Sequence, residues 1–354
     1  MTSIISGIQQ VGVGVKDVHE AWKWYRQNFG IDIKIFEEKA TARLMLSYTG
    51  GMPQERHAVL TYNIQGGGGL EIWQYTEREP QPPARQLLLG DLGIFATKIK
   101  SKYVDGAYEF MNKKGINILG KVHKDPHEGR PHFFLKDPYN NIFQIVESKT
   151  WFNYKQKPTG SVYGVMIGVT DMDKSIDFYK SILGYNDLIY DLSGNFEDIS
   201  DLPGGTNSFR RVLLGHDKPR GGTFSRFLGT SVVELFQVLD RKAEKIYADR
   251  FWGDLGFIHI CFDIFGMDSL RERCNEYGHP FVVDSSSSFD MGEASGHFSY
   301  IEDPDSTLIE FVETHKIPLV KKIGWYIDLR KRKPGVPLPD WMLKFLKYSR
   351  VKDK

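Results

Sequence analysis

Two stretches of the sequence match each other and decide the fold: VGVGVKDVHEAWKWYRQNFGI (Val11–Ile31) and VMIGVTDMDKSIDFYKSILGY (Val165–Tyr185). Each begins with alternating apolar residues, which are typical of a half-buried β-strand. Each continues with an amphipathic helix that has an Asp at the expected N-cap and a Gly at the expected C-cap. The sequence therefore predicts a strand–helix unit that occurs twice, with caps at Asp17, Gly30, Asp171 and Gly184.

Three further pairs of segments extend the repeat. Strands with a central Glu occur in GGGGLEIWQY (Gly66–Tyr75) and GTSVVELFQV (Gly229–Val238). GRPHFFLKDPYNNIFQIVES (Gly129–Ser148) and ASGHFSYIEDPDSTLIEFVET (Ala294–Thr314) each contain two strands around an Asp-Pro turn, which is a hairpin pattern. DLGIFATKIK also matches DLGFIHICFD. These matches predict four units, which run roughly over Ser6–Thr76, Leu89–Lys149, Gly160–Asp240 and Asp254–Thr314.

The order of elements predicts an α+β fold. Each unit has one strand, one helix and then several strands, so we expect four βαβββ units in two tandem halves that form curved mixed sheets. The first half covers residues 1–155 and the second covers residues 156–316, and each contains two units. Residues 317–354 match no unit and form a basic tail, in which PDWMLKFLKYSR predicts a short helix.

Composition narrows the class of protein. The formal net charge of +1 gives no electrostatic reason to expect nucleic-acid binding. No apolar run reaches the ~20 residues of a membrane span, and MTSIISGIQQ has no signal-peptide pattern. The only two cysteines, Cys261 and Cys274, provide no disulfide framework. We therefore expect a cytoplasmic protein, monomeric or homodimeric, that binds a small-molecule substrate.

The closing hairpin carries a family resemblance. DPDSTLIEFVE resembles the motif DPDGNxxEL of the vicinal oxygen chelate superfamily, with Ser306 and Thr307 in place of the Gly-Asn pair. The superfamily includes glyoxalase I, bleomycin-resistance proteins, extradiol dioxygenases and methylmalonyl-CoA epimerase. The resemblance extends to about Thr314 and implies the fold of a four-unit fused member. It does not imply a substrate, because this fold hosts many reactions.

The resemblance also implies metal ligands. In the family, each unit can supply one ligand from its first strand and one Glu from its last strand. The first positions align with Gln10, Ile94, Gly164 and His259, and the second with Glu71, Gln144, Glu234 and Glu310. Units one and four therefore have a full set of donors, whereas Ile94 and Gly164 leave units two and three with a broken set.

Two pairings of the units are possible. In fused glyoxalase I, unit one pairs with unit four and unit two with unit three, which predicts one complete metal site made of Gln10, Glu71, His259 and Glu310. Extradiol dioxygenases pair their units in sequence order and hold iron with two His and one Glu. Gly164 stands at the position of the first of those His residues, so the sequence disfavours iron and ring cleavage. The preferred donor set suits Zn²⁺, Ni²⁺, Co²⁺ or Mn²⁺.

This donor set implies a metal-dependent lyase, isomerase or epimerase. A carbonyl chelated by the metal is polarised, and Glu310 or Glu71 is the expected catalytic carboxylate that carries the proton of the adjacent carbon. A non-catalytic binding protein of the bleomycin-resistance type and an extradiol-type dioxygenase stay open. A purely structural role of His259 also stays open, since a lone His in a strand is commonly hydrogen-bonded and structural.

Alternation along two strands predicts the wall of the pocket. Trp73 and Tyr75 share a face with Glu71, and Cys261 shares a face with His259 in GFIHICFDI (Gly256–Ile264). The same alternation places Phe257 with His259 and Ile258 on the opposite face. Aromatic side chains on such a wall favour an aromatic or acyl substrate.

Overall fold

The computed structural model describes residues 3–216, 218–285, 289–291, 294–320 and 325–352. The strands are β1 (Ile4–Gly14), β2 (Ile33–Thr41), β3 (Glu55–Tyr62), β4 (Gly69–Tyr75), β5 (Gly93–Ser101), β6 (Asn117–Lys124), β7 (Pro131–Lys136), β8 (Ile142–Glu147), β9 (Val162–Gly168), β10 (Asp187–Gly194), β11 (Phe209–Gly215), β12 (Val232–Val238), β13 (Gly256–Phe265), β14 (Val283–Asp284), β15 (Phe289–Met291), β16 (Ala294–Glu302), β17 (Leu308–Val320) and β18 (Trp325–Asp328). The helices are α1 (Val18–Phe29), α2 (Val104–Lys113), α3 (Met172–Ser181), α4 (Ser225–Leu228), α5 (Met267–Glu276) and α6 (Asp340–Lys344).

The predicted strand–helix units are present, and the α+β class is confirmed. Asp17 caps α1 by accepting hydrogen bonds from the backbone N–H groups of His19 and Glu20, at 2.8 and 2.9 Å. Gly30 ends α1 in the left-handed conformation, which a residue without a Cβ adopts at no steric cost. In the second copy, Asp171 caps α3 by accepting from the N–H of Lys174, and Gly184 is left-handed just beyond the helix.

The units pair in the order one with four and two with three. The first sheet has the strand order β14-β16-β17-β13-β1-β4-β3-β2, with β15 beside β16 and β18 beside β17. The second has the order β10-β11-β12-β9-β5-β8-β7-β6. Antiparallel pairing of β1 with β13 and of β5 with β9 joins the units inside each sheet. The glyoxalase-like pairing predicted from the ligand positions is therefore confirmed.

One extensive core lies between the helices and the convex faces of both sheets. It combines apolar residues of β1 and β13 with the buried faces of the long helices, such as Trp22 on α1 and Leu270 on α5. Smaller apolar clusters occupy the concave faces of both sheets. We call the concave face of the first sheet, which carries Gln10, Glu71, His259 and Glu310, the first cup. The corresponding face of the second sheet is the second cup.

The predicted alternation at the start of β13 is wrong by one residue. The register between β1 and β13 shifts between the pairs Gly12–His259 and Val13–Phe257, which leaves Ile258 as an extra residue. Such a bulge reverses the face of the sheet to which the side chains on one side of it point. Ile258 consequently packs in the cluster of the first cup, whereas Phe257 packs in the main core.

The basic tail packs on its own chain. Leu338 and Leu343 are buried in a cluster that includes Ile33 and Leu60 of β2 and β3. The guanidinium of Arg350 lies 2.9 Å from the carboxylate of Asp32. No helix in the described part of the chain is long and apolar enough to cross a membrane.

Candidate metal centre

The strand register brings the four predicted ligands to the floor of the first cup. On β4, Glu71 lies beside Gly12 of the parallel strand β1, and Gln10 precedes Gly12 by two residues on the same face. On β17, Glu310 lies beside Cys261 of the parallel strand β13. His259 precedes Cys261 by two residues, so units one and four contribute equivalent positions. Because β1 and β13 run antiparallel side by side, the two pairs of ligands face each other.

The distances join these side chains into one cluster. His259 Nε2 lies 3.1 Å from Glu310 Oε2 and 3.4 Å from Glu71 Oε2. The side-chain amide of Gln10 donates a hydrogen bond to Glu310 Oε2 at 3.3 Å. One ligand atom each from Glu71, His259 and Glu310 lie within 4.8 Å of one another. This spacing is compatible with a single cation bound between the three residues.

Several buried polar atoms of the cluster have no hydrogen-bond partner among the described residues. They are Gln10 Oε1 and both ring nitrogens of His259. His259 Nε2 is close to both carboxylates but is not aligned with either as a hydrogen bond. Buried polar groups are normally satisfied, and unsatisfied ones are costly. The amide oxygen and the imidazole nitrogens that remain without partners, together with the two carboxylates, fit the donor set of a divalent metal.

The electrostatics of the first cup follow from burial and mutual proximity. Burial opposes a positive charge on His259, but Glu310 and Glu71 outweigh it and raise its pKa to about 9. Burial would raise the pKa of Glu71, but the adjacent His259 lowers it. Burial raises the pKa of the Cys261 thiol well above its usual range, so this thiol stays protonated. In the absence of metal, the two carboxylates therefore hold a protonated imidazole.

A cavity of about 160 Å³ opens above the ligands. Gln10, Glu71 and Glu310 form part of its lining, together with Trp73, Trp252 and Tyr300. Of the three predicted wall residues, only Trp73 lies in this lining. Tyr75 is buried and donates its hydroxyl to the carbonyl of Trp252. Cys261 is buried beside the ligands, with its sulfur 3.7 Å from Gln9 Oε1.

Arg56 and Trp252, which also line the cavity, were not predicted. Arg56 on β3 donates from Nη2 to Glu38 at 2.9 Å, while its buried Nη1 has no partner among the described residues. The hairpin register could have revealed Arg56, because Leu60 lies opposite Glu71 and residues at even spacing from Leu60 face the same way. Trp252 belongs to a loop before β13, where no alternation of apolar and polar residues indicates which way its side chain points. His297 also lines the cavity and lies 2.5 Å from Asp284.

The second cup differs in a way that corrects one alignment. Gln144 lies beside Lys98, and Glu234 lies beside Met166. Gln10 stands two residues before Gly12, the neighbour of Glu71. By the same count, Ala96 stands two residues before Lys98 and Gly164 two residues before Met166, so Ala96, not Ile94, is the equivalent of Gln10. The predicted loss of two donors is unchanged, because an alanine side chain has no donor atom either.

Protein cations occupy the second cup. The ammonium of Lys98 contacts both Gln144 and Glu234, and Arg211 donates from Nε to Glu234 at 2.5 Å. Burial would raise the pKa of Glu234, but Arg211 and Lys98 hold it far below its usual range. All four side chains are buried. Lys98 and Arg211 thus pair with Glu234, and Arg211 also pairs with the buried Asp198 at 2.8 Å, at the position where the first cup presents four ligands.

Comparisons with known proteins agree with this geometry. Residues 7–145 match the family model described as Glyoxalase/Bleomycin resistance protein/Dioxygenase superfamily. The structure of glyoxalase I from Zea mays aligns with a TM-score of 0.54 and 14% identity, over 87% of this chain and 92% of that chain. A putative dioxygenase from Bacillus subtilis subsp. subtilis str. 168 aligns with a TM-score of 0.54 and 13% identity, over 88% and 86%. No curated protein has a significant match.

The family model supports the resemblance for residues 7–145, and the structural similarities confirm the fold over both halves. The family model covers most of the first half, and the two structural similarities extend over both halves. At such low identity, the structural similarity defines the fold and not the activity.

Proposed function

We propose that this chain, a four-unit protein of the glyoxalase, bleomycin-resistance and dioxygenase superfamily, is a metal-dependent enzyme of the lyase, isomerase or epimerase type. Its reaction would take place next to a carbonyl of a small substrate bound in the first cup. One observation carries the proposal: two carboxylates and one imidazole converge within 4.8 Å, beside an amide oxygen that has no partner among the described residues.

The donor set favours particular metals. Three oxygen donors and one nitrogen suit Zn²⁺, Ni²⁺, Co²⁺ or Mn²⁺, and a bound metal would polarise a chelated carbonyl. Gln10, Glu71, His259 and Glu310 are the residues that would hold it. Iron-dependent ring cleavage is disfavoured, because the described part of the first cup offers only His259 as an imidazole in the ligand cluster.

The residues around the ligands have separable roles. Glu310 and Glu71 are the candidate proton carriers, since each has a carboxylate oxygen at the floor of the cavity. The amide of Gln10 holds Glu310 Oε2 by the 3.3 Å hydrogen bond and so orients this carboxylate. Trp73, Trp252 and Tyr300 form an apolar wall that excludes water from the reacting carbon. Nη1 of Arg56, which has no partner in the described part of the chain, suits an anionic or carbonyl oxygen of the substrate.

Exchange of a carbon-bound proton tests the proposal without knowledge of the full reaction. The metal-loaded protein is incubated in D₂O with a panel of 2-hydroxycarbonyl compounds and thiol adducts of 2-oxoaldehydes, and loss of the α-proton is followed by NMR. We expect exchange that chelator abolishes and that Glu310→Gln slows by roughly 10²–10⁴-fold. Glu79→Gln is the matched control, because Glu79 is an exposed carboxylate that pairs with Lys16 and does not line the cavity.

The alternatives give different results in the same assay. Binding of panel compounds without exchange under any of the four metals would favour a binding protein and contradict the enzyme. Oxygen consumption that depends on added Fe²⁺ would favour the dioxygenase. Exchange that is unchanged in Glu310→Gln and in Glu71→Gln would remove the proposed proton carriers.

A further inference from the structure

A second group of metal-ligating side chains lies outside the first cup. It consists of His19 on the first turn of α1, Glu37 on β2 and His57 on β3. On β3, His57 alternates with the cavity-lining Arg56, so it lies on the opposite, convex face, where α1 packs. This cluster is therefore separated from the first cup by the thickness of the sheet.

The three side chains converge on a single oxygen. His19 Nε2 lies 3.3 Å from Glu37 Oε1, and His57 Nε2 lies 3.2 Å from the same atom. The two imidazole rings are 5.2 Å apart at an angle of 66°. One ligand atom from each residue lies within 4.8 Å of the others. Two imidazoles and one carboxylate directed at a common point are the three protein ligands typical of an open zinc site.

We infer that His19, Glu37 and His57 form a second divalent-metal site, which takes Zn²⁺ or a similar borderline cation. The remaining positions are accessible to water, because the side chain of His19 is 61% exposed. The side chain of His57 is only 10% exposed, so the site has one anchored and one mobile imidazole.

The neighbouring lysine sets the strength and geometry of this site. Lys34 Nζ lies 2.9 Å from Glu37 Oε2 and leaves Oε1 to the two imidazoles. Glu37 is therefore a monodentate ligand. The ammonium charge opposes a dication, and this site has one carboxylate where the first cup has two, so it binds metal more weakly than the first cup.

Metal at this site would join three elements. The ligands come from a helix and from two antiparallel strands, the edge strand β2 and its neighbour β3, so a bound cation fixes the first turn of α1 on the sheet. Because the metal binds the folded chain, its binding stabilises the fold. We expect the melting temperature to rise with Zn²⁺ through this site independently of the first cup.

Calorimetric titration of the full chain with Zn²⁺ tests the inference. The first cup is disabled by His259→Ala in every sample, so the remaining binding reports the second site alone. The protein with His259→Ala alone should bind one equivalent of Zn²⁺. Adding His19→Ala should weaken this binding at least tenfold, since loss of even an outer partner of a metal ligand costs 10–100-fold. His127→Ala is the matched control, because His127 is also exposed but belongs to no cluster of three metal-ligating side chains in the described part of the chain.

The outcomes separate this site from the proposed function. Loss of zinc binding with His19→Ala but not with His127→Ala supports the second site. Binding by His259→Ala that is unchanged when His19→Ala is added overturns it, as does the absence of binding. If the first cup is not a metal site, the wild-type protein and His259→Ala bind the same number of equivalents. His19 is exposed, so its replacement is not expected to prevent folding, and circular dichroism of each variant verifies this.

Discussion

The close approach of Gly12 to the ring of His259 predicts that Gly12→Ala displaces this proposed metal ligand. A Cβ added at Gly12 would lie 2.5 Å from Cε1, 2.8 Å from Nδ1 and 2.9 Å from Nε2 of His259. Non-bonded carbon atoms pack at about 3.5–4.0 Å, so the imidazole would have to retreat by about 1 Å. Metal–nitrogen distances tolerate only about 0.2 Å. His259 therefore cannot keep both its ligand position and its contact with an alanine at this site.

The size of the effect follows from the cost of overpacking. An extra methyl group in a packed site costs about 1–3 kcal/mol. Because metal binding requires His259 to stay in the crowded position, this cost falls mainly on the metal-bound state. At about 1.4 kcal/mol per tenfold change, the affinity for metal should fall by roughly 10–100-fold. The melting temperature of the metal-free protein should change much less.

The assay is a competition titration with a chelating dye, in which Zn²⁺ affinity is compared between proteins with Gly12 and with Gly12→Ala. His19→Ala is present in both proteins so that only the first cup is measured. Gly106→Ala is the control for glycine replacement, because a Cβ at Gly106 on α2 meets nothing closer than the Cβ of Tyr103 at 3.9 Å. It should leave the affinity unchanged and stabilise the helix by about 1 kcal/mol. Equal affinity of Gly12→Ala and the wild type would refute the proposed role of His259.

Further predictions concern the second cup and the buried carboxylates. Lys98→Met should lower the free energy of unfolding by about 3 kcal/mol, because Glu234 stays buried with one cation fewer; urea denaturation measures this, and a loss below about 1 kcal/mol would contradict it. Tyr25→Phe should cost about 1.5–3 kcal/mol, because the hydroxyl donates to the buried carboxylate of Asp137 at 2.6 Å; an unchanged melting curve would refute this. Burial lowers the pKa of His132 to about 4, whereas the unfolded side chain has a pKa of about 6.5. The unfolded chain thus binds the proton first, so this contribution to stability is complete above pH ~6.5 and is lost as the pH falls towards ~4. A His132→Gln variant should show a weaker fall in melting temperature over this range, and an identical fall would contradict the assignment.

The fold was predictable because each unit repeats the same local signals. Strand alternation, the caps Asp17 and Asp171 and the two Asp-Pro hairpins depend on residues close in sequence, so each can be recognised without knowledge of the partner strand. The pairing of units followed from the distribution of donors: only units one and four together provide a complete ligand set. The structure brings Gln10, Glu71, His259 and Glu310 to one place, although their binding of metal stays a proposal.

The residues that escaped prediction depend on contacts between distant segments. Lys98 is buried because Glu234 faces it from another unit, and a lysine in an isolated strand pattern indicates a solvent-exposed position. The bulge at Ile258 arises from the pairing of β13 with β1, so the sequence of β13 alone does not reveal it. The position equivalent to Gln10 in unit two was misplaced at Ile94 for a similar reason, since the register with Gln144 defines it as Ala96.

Metal content of the purified protein tests the proposed metal centre most directly. Elemental analysis is performed on His19→Ala, which leaves only the first cup, and on His19→Ala with His259→Ala, after both are loaded with Zn²⁺ and dialysed. We predict about one equivalent in the first protein, much less than one in the second, and cooperative thermal unfolding in both. Equal zinc content in the two proteins would contradict the metal centre. Unfolding of the His259→Ala protein, together with a melting curve of the parent that chelator does not change, would instead assign His259 a structural role.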